Sequence, residues 1–129
     1  ILPLLKNDFL EILQSCVEGT LDKIDLNWKN EKSICVVLTS KGYPEEYEKN
    51  KIIDNLENFK STENQYIFHA GTYFDEKKFY SNGGRVLNFV SIDKNLKVAR
   101  DKSLDLIKKL NWNNGHYRKD IGFKVIKNK

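Results

Sequence analysis

Methionine is absent from this 129-residue chain, and cysteine, proline and arginine are scarce. The chain opens at Ile1, so it is expected to start inside a longer reading frame. The two cysteines, Cys16 and Cys35, show no pair spacing. Neither His69 nor His116 lies close enough in sequence to complete a metal cluster with them, which removes a zinc-type site from consideration. No apolar run approaches the roughly 20 residues of a membrane-spanning helix, and no signal-peptide pattern stands at the N-terminus. Glycine-rich dinucleotide and Walker patterns are missing, as are local Ser-His-Asp and Cys-His arrangements. No recognisable pair of metal-binding acids appears either. Internal repeats and low-complexity linkers are also lacking.

What is present fits one domain of ordinary size. Hydrophobic residues make up 40% and charged residues 31%, a globular balance. The net charge is +4, but the lysines are interleaved with acids rather than gathered into a basic stripe with aromatics. Binding to nucleic acid is therefore not expected from charge, and no membrane association is expected. Cys16 falls on an apolar helix face and Cys35 in an apolar strand. Both are expected to be buried, reduced thiols of a cytoplasmic protein.

Periodicity predicts two helices. In residues 8–17, Phe9, Ile12, Leu13, Cys16 and Val17 share one face, with Gly19 as the stop. In residues 96–110, Leu96, Ala99, Leu104, Ile107 and Leu110 do the same, and Lys108 and Lys109 suit the C-terminal end. Strands are predicted over 34–38, 66–68, 85–92 and 121–126, and a hairpin over 74–80. Residues 45–63 are polar, with Ile52, Ile53 and Leu56 implying some packing. The expected architecture is α+β, a mainly antiparallel sheet with two helices.

Glycine and arginine placement points to a candidate site. Gly42, Gly71, Gly83, Gly84, Gly115 and Gly122 all fall near predicted strand boundaries, where strands need turns. Exposed amides at such turns can also approach an anion. Gly83-Gly84-Arg85 is the best case, because a bare backbone adjoins a planar bidentate donor. Arg118 also sits in a glycine-bearing segment, although Asp120 could engage it as a structural clamp. Arg100 lies on a predicted helix and is expected to be solvated. His69, at a strand end, reads either as a structural residue or as part of a site.

Four segments carry a family resemblance. Cys35-Val36-Val37-Leu38-Thr39-Ser40-Lys41-Gly42-Tyr43-Pro44, Phe68-His69-Ala70-Gly71-Thr72, Asn82-Gly83-Gly84-Arg85-Val86-Leu87 and Tyr117-Arg118-Lys119-Asp120-Ile121-Gly122 stand in this order. Together the chain resembles the C-terminal part of the phosphoribosylamine–glycine ligase family. Ile1-Leu2-Pro3-Leu4-Leu5 is similar to the stretch just after that family's GDPE-type motif.

The resemblance implies an ATP-grasp ligase of purine biosynthesis. The whole enzyme would join glycine to phosphoribosylamine, giving glycinamide ribonucleotide, ADP and phosphate. Glycine would be activated as an acyl phosphate, with ATP and Mg²⁺ (or Mn²⁺) as cofactors. The family's metal-holding Glu and Asn lie upstream of the GDPE-type motif and outside this chain. Residues 1–24 would then be the end of the ATP-grasp lobe and 25–129 the C-terminal sheet domain. The chain alone is expected to be inactive and to hold no cofactor. By analogy with related ATP-grasp enzymes, Arg85, Gly83, Gly84 and His69 are assigned to the substrate phosphate, with Arg118 and Lys119 as a second choice. No catalytic residue and no metal ligand is assigned to this chain. A docking module built on the same domain is the alternative reading.

Overall fold

The computed structural model describes residues 1–127. It begins with a short turn, Leu2–Leu4, and helix α1, Phe9–Glu18. Strands come next as β1 (Lys32–Ser40), β2 (Gln65–His69), β3 (Thr72–Asp75), β4 (Lys78–Ser81) and β5 (Arg85–Asp93). Helix α2 (Leu96–Leu110), the two-residue strand β6 (Gly115–His116) and helix α3 (Phe123–Lys127) complete the described chain.

Both predicted helices form. The Asp8 carboxylate accepts from the Leu10 amide at 2.8 Å and caps α1, while Gly19 ends it in the left-handed region at φ 70°. Asn95 caps α2 by accepting from Lys97 and Val98, and Lys108 and Lys109 occupy its last turn.

The main sheet has the order β2-β5-β1-β6, and every pairing in it is antiparallel. β3 and β4 form a separate hairpin, as the 74–80 segment suggests. Its two-residue turn, Glu76-Lys77, takes positive φ at both positions, which matches the right-handed twist of the strands it joins.

Alternation along the strands gives the sheet two unlike faces. Val36 and Leu38 of β1 and Leu87 and Phe89 of β5 point towards α2, which packs on both strands through Ile107 and Leu110. Ser103 of α2 donates to Ser91 of β5 at 2.9 Å, so the buried polar pair is satisfied. Ile53 and Leu56, from the polar 45–63 stretch, are buried in the same cluster. The opposite face carries Cys35, Val37 and Thr39, paired beside Val90, Asn88 and Arg85, and no described helix covers it.

The structure departs from expectation at four points. Residues 121–126 do not form a strand: the left-handed Gly122, at φ 75°, breaks the extended backbone and turns the segment into α3. Three described helices, not two, accompany the sheet. The cysteines are exposed rather than buried: Cys35 lies on the uncovered sheet face, and Cys16 lies on α1, whose only buried residue is Ser15. Arg100 is not free in solvent, since its side chain is mostly shielded and pairs with Asp101 at 3.3 Å.

Candidate functional site

The site begins with a slip in the sheet. β1 and β5 pair regularly from Lys32↔Asp93 to Leu38↔Leu87, after which Thr39 faces Arg85. The extra residue on β5 is Val86, so the ladder carries a bulge. An unbroken register would set Arg85 opposite Ser40, on the α2 side. The bulge turns it to the uncovered face, beside Thr39 and Val37.

Three of the four sequence segments are knitted together at this point. The Gly71 amide donates to the Arg85 carbonyl at 2.9 Å, and the Asn82 amide donates to the Gly71 carbonyl at 2.7 Å. From the β1 end, the Ser40 amide donates to the Gly84 carbonyl and its hydroxyl to the Gly83 carbonyl, both at 2.8 Å. These approaches leave no room for side chains. A Cβ on Gly71 would stand 2.8 Å from Gly83 Cα, and one on Gly84 would stand 2.2 Å from Cδ2 of Tyr43. Gly71 and Gly84 therefore have a packing reason of their own.

The result is a cleft of about 700 Å³ lined by Val37, Tyr43, Tyr47, Ala70, Gly71, Gly84, Arg85 and Asn88. No carboxylate lines it. Among the described residues the Arg85 guanidinium has no hydrogen-bond or ion-pair partner, whereas Arg100 and Arg118 each hold an aspartate. The Gly83 and Gly84 amides donate to no described group, although the Tyr43 ring covers Gly84. A cleft with an uncommitted guanidinium and no acid suits an anion.

The fourth segment lies next to it. The Thr39 hydroxyl donates to the His116 carbonyl at 3.0 Å, and the Lys41 amide to the Asn114 carbonyl at 2.8 Å. A second, more apolar groove of about 360 Å³ runs along Cys35, Val37, Thr39, Tyr43, His116, Tyr117, Arg118 and Ile121. Arg118 itself is committed to Asp120 through a fork of 3.1 and 2.9 Å. That hydrogen-bonded pair holds the Asp120 carboxyl below the usual carboxylate range and raises Arg118 above its ordinary value. Lys119 lines a separate hollow formed by residues 115–120.

The six candidate residues are thus only partly assembled. Gly84 and Arg85 line the first cleft, and Gly83 forms the turn behind them. His69 pairs with Leu87 and so projects to the other face of the sheet. There its Nδ1 lies 2.8 Å from the Thr72 hydroxyl and its ring rests against Phe79. Arg118 lines the second groove and Lys119 the separate hollow, so neither reaches the Arg85 cleft. Tyr43, Tyr47 and Asn88 join the cleft without having stood out along the chain. Only Asn88 carried a signal, as an amide side chain inside the apolar run of β5. Cys35 is no nucleophile candidate: partial burial pushes its thiol up, and its Sγ leans on the Asn88 Oδ1 at 3.9 Å.

A divalent metal finds no matching donors here. The described residues contain no group of three or more His, Cys, Asp or Glu that could hold one. The aspartates with lowered pKa, Asp93, Asp101 and Asp120, are each engaged by a Lys or Arg partner. The donor set does not fit a metal, and no step is assigned to one on this chain.

Known proteins carry the same small domain. Residues 33–124 match the family model described as phosphoribosylglycinamide synthetase, C domain. The phosphoribosylamine–glycine ligase of Fusobacterium nucleatum is 42% identical over 123 residues, covering 95% of this chain and 29% of that protein. A bifunctional purine biosynthetic protein of Dictyostelium discoideum is 41% identical, covering 98% of this chain and 16% of its own length. The crystal structure of the Thermotoga maritima phosphoribosylamine–glycine ligase superposes with a TM-score of 0.64 at 28% identity, over 85% of this chain and 27% of that one. The chain spans less than a third of these relatives, and it belongs to the phosphoribosylglycinamide synthetase C-domain family.

Proposed function

We propose that this chain is the C-terminal part of a ligase that joins glycine to phosphoribosylamine with ATP, and that its share of the work is to hold the phosphate of the ribosylamine substrate. The observation that carries this reading is the uncommitted Arg85 in a carboxylate-free cleft, where three family segments meet. A guanidinium there offers two parallel donors to phosphate oxygens. Because the cleft lies on the uncovered sheet face, the rest of the substrate can extend towards whatever part of the ligase closes over it. His69 takes no part in this cleft, and Arg118 and Lys119 are at most peripheral to it.

The chemistry of ATP and its Mg²⁺ or Mn²⁺ belongs to parts of the ligase outside this chain, whose described residues offer no metal donor group. On this reading the chain alone is inactive. Residues 1–24 belong with that adjoining lobe: the apolar face of α1, with Phe9, Leu13 and Val17 exposed, suits burial against it. Residues 25–129 form the sheet domain. No described helix is long and apolar enough to cross a membrane. The enzyme is assigned to the cytoplasm, although the Arabidopsis thaliana relative is named as chloroplastic.

Arg85→Ala in the full-length ligase tests the proposal. Losing one charge-assisted phosphate contact, about 1.5–3 kcal/mol, should raise the KM for phosphoribosylamine roughly 10- to 100-fold and leave the KM for ATP unchanged. An unchanged KM for phosphoribosylamine would remove Arg85 from the site.

A further inference from the structure

We infer that Tyr43 is a substrate-contacting residue of the same cleft, its hydroxyl donating to or accepting from the sugar of the ribosylamine whose phosphate Arg85 holds. This inference rests on the Arg85 reading and adds to it a residue that serves the part of the substrate next to the phosphate.

Four observations place Tyr43 there. First, it lines both the Arg85 cleft and the neighbouring apolar groove, so it stands where the two meet. Second, its ring is seated rather than loose. The ring lies directly on Gly84, where even a methyl group would stand 2.2 Å from Cδ2 and 2.6 Å from Cε2, and its other neighbour is Tyr47, edge-on at 6.0 Å between centroids. Third, the backbone beneath it is anchored, since the Tyr43 amide donates to the Ser40 carbonyl at 3.1 Å and Ser40 in turn holds Gly83 and Gly84. Fourth, the hydroxyl bonds no described residue, as for Tyr47, Tyr80 and Tyr117 and unlike Tyr66 and Tyr73, so it is open to a ligand.

Tyr43 is 38% exposed, and its ring is held against the turn that precedes Arg85. A ribose attached to a phosphate at Arg85 has hydroxyl groups within a few bonds of it, and a seated phenol lining the same cleft is suited to meet one. The glycine at position 84 is then required for the seat of this ring.

The test uses the full-length ligase with two variants, Tyr43→Phe and Arg85→Ala, in steady-state assays that vary each substrate in turn. Tyr43→Phe keeps the ring on Gly84 and removes only the hydroxyl, so the fold is preserved, and thermal unfolding checks this. The expected result is a KM for phosphoribosylamine raised about 3- to 10-fold, with kcat and the KM values for ATP and glycine near wild type. An unchanged KM for phosphoribosylamine in Tyr43→Phe, beside a raised one in Arg85→Ala, overturns the role of Tyr43 and leaves the phosphate assignment standing. No change in either variant overturns both. Equal losses for all three substrates in Tyr43→Phe would show a structural role and overturn the inference as well.

Discussion

Helices α1 and α2 are built from the same device, an apolar stripe behind an Asx-type cap, yet they end in different environments. α1 is the more apolar of the two by sequence, FLEILQSCVE against LKVARDKSLDLIKKL, but Phe9 is 45%, Leu13 47% and Val17 89% exposed. α2 buries Ala99, Ser103, Ile107 and Leu110 at the spacing of a single stripe. The difference is one of partners. α2 lies across β1 and β5, whereas α1 packs mainly on the neighbouring Leu21–Lys23 turn. An apolar stripe specifies which way a helix will face once a surface is offered; it does not supply the surface. For α1 the described residues offer none, in keeping with the proposal that residues 1–24 close against an adjoining lobe.

The sharpest way to break this comparison is to cut the two stripes separately. Ile107→Ala should destabilise the chain by about 2–5 kcal/mol, since it leaves a cavity between α2 and the sheet. Leu13→Ala should change stability by no more than about 0.5 kcal/mol in this chain, because the side chain is half exposed already. Urea unfolding of both variants checks this, and equal losses would show that α1 is packed after all.

The caps give a smaller effect with the same contrast. Asn95→Ala strips acceptors from two amides of α2 and should lower global stability by about 1 kcal/mol. Asp8→Ala should instead speed hydrogen exchange in the first turn of α1 while the unfolding midpoint stays in place.

The smallest expected effect is electrostatic. Asp93, at the end of β5, bonds Lys102 of α2 at 2.8 Å, and this hydrogen bond, helped by the Asn95 amide, lowers the Asp93 carboxyl pKa. A carboxyl lowered in the folded state adds stability above its unfolded value, about 3.9, and loses it as pH falls through the folded one. Asp93→Asn should therefore lower stability slightly in the neutral region, where the charged carboxyl contributes, and leave it nearly unchanged below the folded value, so that the acid limb flattens. Unfolding midpoints measured across that range provide the check.

Much of this fold can be read from the chain. The limits of α2 match its apolar stripe residue for residue, and the β1, β2, β5 and hairpin segments lie where β-branched and aromatic runs stand. The burial of Ile53 and Leu56 is also legible, because apolar residues in a polar stretch have few other uses. Segment 121–126 misleads because its apolar residues stand at alternate positions, as in a strand, while the left-handed backbone at Gly122 breaks that run and starts α3. The exposed cysteines mislead for a related reason: an apolar neighbourhood along the chain does not say which face of a strand or helix another element will cover.

What the sequence determined by itself was the set of parts: two helices, the antiparallel strands, four segments of a recognisable family, and a Gly83-Gly84-Arg85 turn suited to an anion. Tertiary structure alone decided how those parts meet. The bulge at Val86 turns Arg85 to the uncovered face, alternation sends His69 to the other, and the bare backbone at Gly84 admits the ring of Tyr43. Each of these depends on the register between strands distant in sequence, and a shift of one residue in that register reverses the face on which a side chain appears.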